Sequence, residues 1–271
     1  MKARDLQAYF RSLNGGWMDL DETVDTFKSG DPEAEIRGVA VSWMSTTAAL
    51  KEALAMDCNV FVTHEPTYYN HHDDPAHPVF QLEATQQKRD FIEESGIVIL
   101  RCYDLWDQVP ETGIADAWGA ALGLGDAVAG EGYYRVYDVS GRTAGDVARQ
   151  VATRTARFGQ EAVQLIGRAD TPVSRVAIGT GAITPLFLYI QDYDIDLAIC
   201  TDDGFTYWQH GAYARDTGLP VIVVNHATSE EPGMHSLADH LRRRFPDVPV
   251  HFIPHGCMYT LVVSAMATSN Q

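Results

Sequence analysis

Apolar positions along the chain follow two alternating rhythms. Leu6, Tyr9, Phe10 and Leu13 recur at spacings of three and four, which predicts a short amphipathic helix over 6–13. From Val39 onward short runs are apolar at every position: Val39-Ala40-Val41, Val60-Phe61-Val62 and Ile97-Val98-Ile99-Leu100. Runs of this kind suit strands of a sheet covered on both faces. Helical stretches separate them. One opens at Ser45-Thr46-Thr47, residues able to cap a helix, and runs to about Met56; the other spans about Phe80 to Ser95. Strand, helix and strand in succession predict a mainly parallel sheet with right-handed crossovers. The segment Thr23 to Arg37 is polar and broken by Ser29-Gly30-Asp31-Pro32, so it reads as turns.

The rhythm then returns. Val176-Ala177-Ile178 resembles Val39-Ala40-Val41, a helical stretch covers Pro185 to Gln191, and another covers Gln209 to Thr217. Leu197 to Gly204 can be set under Asn59 to Pro66, which puts Thr201 under Thr63, Asp202 under His64 and Asp203 under Glu65. Pro220 to Val224 falls under Ile97 to Arg101, so His226 falls under Tyr103 and Glu230 under Asp107. Between the halves lie a strand at Tyr133 to Tyr137 and a helix from Ala144 to Arg157, opened by Thr143. The expectation is an α/β protein of two similar lobes, residues 1–126 and 127–271, related by a pseudo-twofold duplication. Each has a mixed, mainly parallel sheet covered by helices, and the C-terminal part of the second lobe is free to pack back on the first.

Composition narrows the function classes. The 271 residues are 45% hydrophobic and 10% aromatic, enough for a core and against global disorder. Twenty basic against 37 acidic residues give a net charge of −17, which argues against bulk binding to nucleic acid or anionic membrane and fits a binder of cations or small molecules. No apolar run approaches the ~18 residues of a membrane span, and the charged N-terminal segment does not read as a leader peptide, so the expected location is cytoplasmic. The four cysteines are scattered with no CxxC pair, as expected for buried free thiols.

The chemistry concentrates at strand ends, where open α/β sheets gather ligands. His64-Glu65 ends one strand, Asp104 and Asp107 follow another, and His226 and Glu230 follow a third. Imidazole and carboxylate together suit Zn, Mn, Fe or Co. His226 and Glu230 are four apart, so both can face one point if the chain is helical from Ala227. The register with Glu230 favours Asp107 over Asp104 as a ligand. Each residue also has an ordinary role: Asp104 as a helix cap, Glu230 as a first-turn acid, a lone histidine as a hydrogen-bonded core group.

Phe61-Val62-Thr63-His64-Glu65-Pro66, Asp104-Leu105-Trp106-Asp107 with Gly113 to Trp118, and Asn225-His226-Ala227-Thr228-Ser229-Glu230 resemble, in order, the blocks of the Nif-three-like family, also labelled GTP cyclohydrolase I type 2-like. The resemblance spans about Val24 to Tyr259. It implies a two-lobed α/β protein with two divalent transition-metal ions (Fe, Mn, Zn or Co) between the lobes, and homo-oligomers, commonly hexameric rings. Carried over by position, it makes His64, Asp107, His226 and Glu230 metal ligands. Two positions depart from the family pattern. Glu65 replaces a second histidine, as a harder ligand or a general base, and Tyr103 replaces another, where a phenol more readily lines a pocket than binds metal. The loop Tyr68 to Asp74 can be a solvated loop or a substrate-contacting lid, with Tyr68 and His72 its candidates. Tyr103, Asp104 and His210 complete the candidate pocket.

Two functional readings follow. One is a metal-dependent hydrolase acting on a small molecule, with Glu65 as general base. The other is a non-catalytic metal-binding regulatory or chaperone-like protein.

Overall fold

The computed structural model describes residues 1–262; residues 263–271 of the expected second lobe lie outside them. In chain order the strands are β1 (Phe27–Ser29), β2 (Val39–Ser42), β3 (Val60–Thr63), β4 (Val98–Arg101), β5 (Ala127–Ala129), β6 (Tyr134–Thr143), β7 (Gln164–Ile166), β8 (Pro172–Gly179), β9 (Leu197–Thr201), β10 (Val221–Val224) and β11 (Val250–Phe252). The helices are α1 (Ala3–Ser12), α2 (Thr47–Ala55), α3 (Glu83–Ser95), α4 (Asp104–Gln108), α5 (Ile114–Leu122), α6 (Ala144–Thr155), α7 (Leu186–Tyr193), α8 (Ala212–Thr217) and α9 (His226–Arg244). The chain forms two compact units. The first comprises Met1–Ala120, Glu131–Tyr133 and Glu230–His255; the second comprises Ala121–Gly130, Tyr134–Ser229 and the chain from Gly256.

The first unit holds a five-stranded sheet in the order β1-β4-β3-β2-β11. Every residue of β2, β3 and β4 is buried, as a sheet covered on both faces requires. These strands run parallel, β11 adds a fourth parallel strand beside β2, and β1 pairs antiparallel with β4. Helix α2 starts where the sequence predicts, with the Thr46 side chain accepting from the Ala49 amide. The helix expected over 80–95 is divided. A 3₁₀ turn, Pro78–Gln81, comes first, Leu82 is extended at φ −74°, ψ 135°, and α3 follows, ending on Gly96 at φ 65°. The core under this sheet gathers Leu50, Phe61, Tyr68, Phe80, Ile92 and Ile99.

The second unit holds a six-stranded sheet, β5-β6-β8-β9-β10-β7, in which β8, β9 and β10 are parallel and the remaining pairings antiparallel. Thr143 opens α6 through a capping box with Asp146. The helix expected over 209–217 is a π-helical turn, Tyr207–Gly211, that passes into α8. Both sheets thus contain three successive parallel strands, β2-β3-β4 and β8-β9-β10, with a short antiparallel strand outside the third: β1 on β4, and β7 on β10. Thr63 pairs with Arg101 and Thr201 with Val224, the correspondence read from the sequence. At the first strand pair the registers differ by one residue: Ala40 faces Phe61, whereas Ala177 faces Ala198. Among the described residues no helix is long and apolar enough to cross a membrane.

Candidate metal centre

Parallel pairing places the ends of β2, β3 and β4 side by side in the first unit. Beyond β2, the Trp43 carbonyl accepts from the amides of His64 and Glu65 at 3.2 and 2.9 Å, which fixes the turn that carries both side chains. Beyond β4, the Asp25 carboxylate accepts from the amides of Tyr103 and Leu105 at 2.6 and 2.9 Å. That bond pair holds the first turn of α4, on which Asp107 sits buried. Glu230 comes from α9, whose Gly233 carbonyl accepts from the Trp106 indole at 2.8 Å.

These side chains meet. His64 Nε2 lies 3.5 Å from Asp107 Oδ1 and 3.4 Å from Glu230 Oε2. One donor atom each from His64, Glu65 and Glu230 lies within 4.8 Å of the others. Ligand atoms bound tetrahedrally to one ion at ~2.1 Å lie roughly 3.4 Å apart, so the spacing around Nε2 is that of a metal's ligand shell. The His64 Nδ1 donates to the Cys102 carbonyl at 3.2 Å, which leaves the Nε2 lone pair facing the carboxylates in the neutral ring. The Trp43 indole donates to Glu230 Oε2 at 2.7 Å. One imidazole with carboxylates is a donor set for Zn, Mn, Fe or Co.

Electrostatics point the same way. Burial raises the Asp107 carboxyl well above its usual range, and the neighbouring Glu230, Asp25, Glu65 and Asp104 raise it further. Tyr103 is raised by burial and then by Asp107, Glu65 and Glu230, and Tyr133 is pushed up to about 12 by burial and Asp107. Carboxylates crowded in a buried place stay ionised together when a cation neutralises them.

The other candidates are dispersed. Tyr103 stands beside the cluster, its ring 4.6 Å from that of His64. Asp104 Oδ2 accepts from the Thr23 hydroxyl and the Val24 amide at 2.8 and 3.1 Å, so it ties the segment before β1 to α4. Tyr68 is a core residue packed on Phe80 at 5.2 Å. His72 is exposed, its ring 4.8 Å from that of His71. His210 belongs to the second unit, where it packs against Phe187 and Phe205 and accepts from the Thr206 amide. His226 also belongs to the second unit. It opens α9, the chain is helical from Ala227, and its Nδ1 lies 3.2 Å from Asp203 Oδ2. Sequence reasoning missed Trp43, Asp25 and Arg101. Trp43 and Arg101 each stand just past an apolar run, but nothing in the local pattern marks their roles.

The family described as Duf34/NIF3 (NGG1p interacting factor 3) matches residues 22–256. No curated protein matches the sequence. Among solved structures, a Bacillus cereus protein related to NIF3 is 13% identical with a TM-score of 0.78, over 97% of this chain and 99% of that one. The hypothetical protein SA1388 of Staphylococcus aureus is 16% identical with a TM-score of 0.76, again over 97% and 99%. Reduced HcgD from Methanocaldococcus jannaschii is 16% identical with a TM-score of 0.71, over 94% of this chain and 98% of that one. Likeness at these identities establishes a shared fold.

Proposed function

The chain belongs to the Duf34/NIF3 family, and from that premise we propose that it is a metal-dependent hydrolase with a dinuclear centre, acting on a small molecule. The observation that carries this reading is the buried meeting of His64 Nε2 with Asp107 and Glu230 at 3.5 and 3.4 Å. His64, Asp107, Glu230 and Glu65 hold the ions, and the resemblance adds His226 to the set. Divalent ions bound there supply Lewis acidity toward water and toward a carbonyl or phosphoryl oxygen. The chain's own part is to fix the donors. Cys102 orients His64, Trp43 orients Glu230, and Asp25 holds the turn that carries Asp107. Glu65 is only half-buried, and where it is not a ligand its carboxylate takes a proton as general base. Tyr103 lines the pocket from the His64 side.

Elemental analysis of the purified chain tests the first half of this reading: about two transition-metal ions per chain are expected. Asp107→Asn, and separately His226→Ala, should lower that number with the fold intact by circular dichroism. Unchanged metal content in both variants counts against these ligands. A panel of phosphoesters, nucleotides and amides with added Mn or Co tests the second half. Turnover that disappears with chelator and in Glu65→Gln supports hydrolysis; a fully loaded protein that turns over nothing counts against it.

A further inference from the structure

The loop after the His64 turn is built, not loose. The amides of Thr67 and Tyr68 donate to the Asp73 carboxylate at 3.2 and 2.6 Å. Lys28 Nζ lies 3.8 Å from that carboxylate, with both side chains buried. Lys88 Nζ donates to the Thr67 carbonyl at 2.5 Å, and Arg101 Nη1 donates to the His71 carbonyl. With Tyr68 turned into the core, the loop presents His71 and His72 outward. The His71 ring stands edge-on to Tyr103 at 5.6 Å, and Tyr103 in turn lies 4.6 Å from His64. Among the described residues neither ring nitrogen of His71 has a hydrogen-bond partner.

Arg101 stands behind this arrangement. It is fully buried, donates from Nε to the His64 carbonyl at 2.8 Å, and lies over the Tyr103 ring at 4.4 Å. Its Nη2 has no hydrogen-bond partner and, among the described residues, no carboxylate pairs with it. A guanidinium stays charged, and with its hydrogen bonds going to carbonyls its positive potential reaches His71 and Tyr103 as well as the Asp25 carboxylate.

We propose that the His71 imidazole contacts substrate at the edge of the metal centre, donating to an oxyanion (a carboxylate or a phosphate), with Arg101 as the residue that positions it. The inference rests on the hydrolase reading and narrows it to substrates that carry an anionic group. Burial, then Arg101 and His72, push the His71 ring toward its neutral form against the opposing Asp104 carboxylate, and the neutral ring has one N–H to give and one lone pair. The Arg101 bond to the His71 carbonyl keeps the ring over Tyr103, and its charge strengthens the attraction for the anion.

The test uses the full chain loaded with Co(II) and read by its visible absorption, titrated with inorganic phosphate in one arm and acetate in the other. In the wild type one of the two anions should change the spectrum saturably, which also separates phosphate from carboxylate recognition. His71→Ala removes an exposed side chain. It should leave Co(II) affinity within about twofold and weaken that anion at least about tenfold; His71→Asn, which keeps an N–H donor, should restore part of the loss. Arg101→Lys, which loses the fork to both carbonyls, should weaken the anion and alter the Co(II) spectrum. A normal Co(II) spectrum with the same anion affinity in His71→Ala, or no wild-type response to either anion, overturns this inference alone. Absence of any bound Co(II) overturns the metal reading and this inference with it.

Discussion

Trp43 orients Glu230 through an indole hydrogen bond of 2.7 Å, so Trp43→Phe should keep the packing and lose the orientation. Metal affinity is then expected to fall by about 10-fold or more in competition with a chelator; an unchanged affinity would show that Glu230 needs no such support. Asp25 carries a prediction in pH. Burial raises its carboxyl from the usual 3.8 to about 6, with two amide bonds opposing the rise. The folded chain therefore holds this proton more tightly than the unfolded one. Its contribution to stability is full below about pH 4 and is lost as pH rises through about 6. Between pH 4.5 and 7 the metal-free wild type should lose about 2 kcal/mol more stability than Asp25→Asn, measured by urea unfolding. His64, Glu65, Asp107 and Glu230 were legible in the sequence because strand ends and one family-like register mark them. Trp43, Asp25 and Arg101 were not, because their roles arise from pairings that local pattern does not encode: Trp43 with Glu230 across 187 positions, Asp25 with Leu105 across 80 and Arg101 with His64 across 37.

At the scale of elements, the apolar runs of β2, β3, β4, β9 and β10 announced themselves, since full burial on both faces demands apolar side chains throughout. The strands β1, β5, β7 and β11 have three residues each, too short to show a period, and they exist because a neighbouring strand offers unpaired backbone groups. Helix α9 depends on close approach. A Cβ on Gly233 would lie 2.7 Å from Ile114 Cα and 2.4 Å from its Cδ1. Gly233→Ala should therefore push α9 from α5, cost about 1–3 kcal/mol in unfolding free energy and weaken metal binding, because Glu230 rides on that helix. Thr143→Ala, which removes the α6 capping box in the second unit, should cost about 1 kcal/mol and leave metal affinity alone. Equal effects of the two substitutions on metal affinity would contradict the assignment of His64, Glu65, Asp107 and Glu230 to the first unit's own elements.

For the whole molecule, the net charge of −17 favours the approach of cations, so the rate of divalent-ion uptake should fall as monovalent salt rises, by stopped-flow fluorescence. The same field opposes anions, so the proposed anion contact relies on the Arg101 charge behind the His71 and Tyr103 rings. All of this depends on cations sitting where His64, Asp107 and Glu230 converge. Anomalous scattering from crystals soaked in Mn or Zn measures that directly. The expected result is a peak about 2.0–2.3 Å from His64 Nε2 and from an oxygen of Asp107 or Glu230. Ordered side chains in the positions described, with no anomalous density between them at saturating metal, would contradict it.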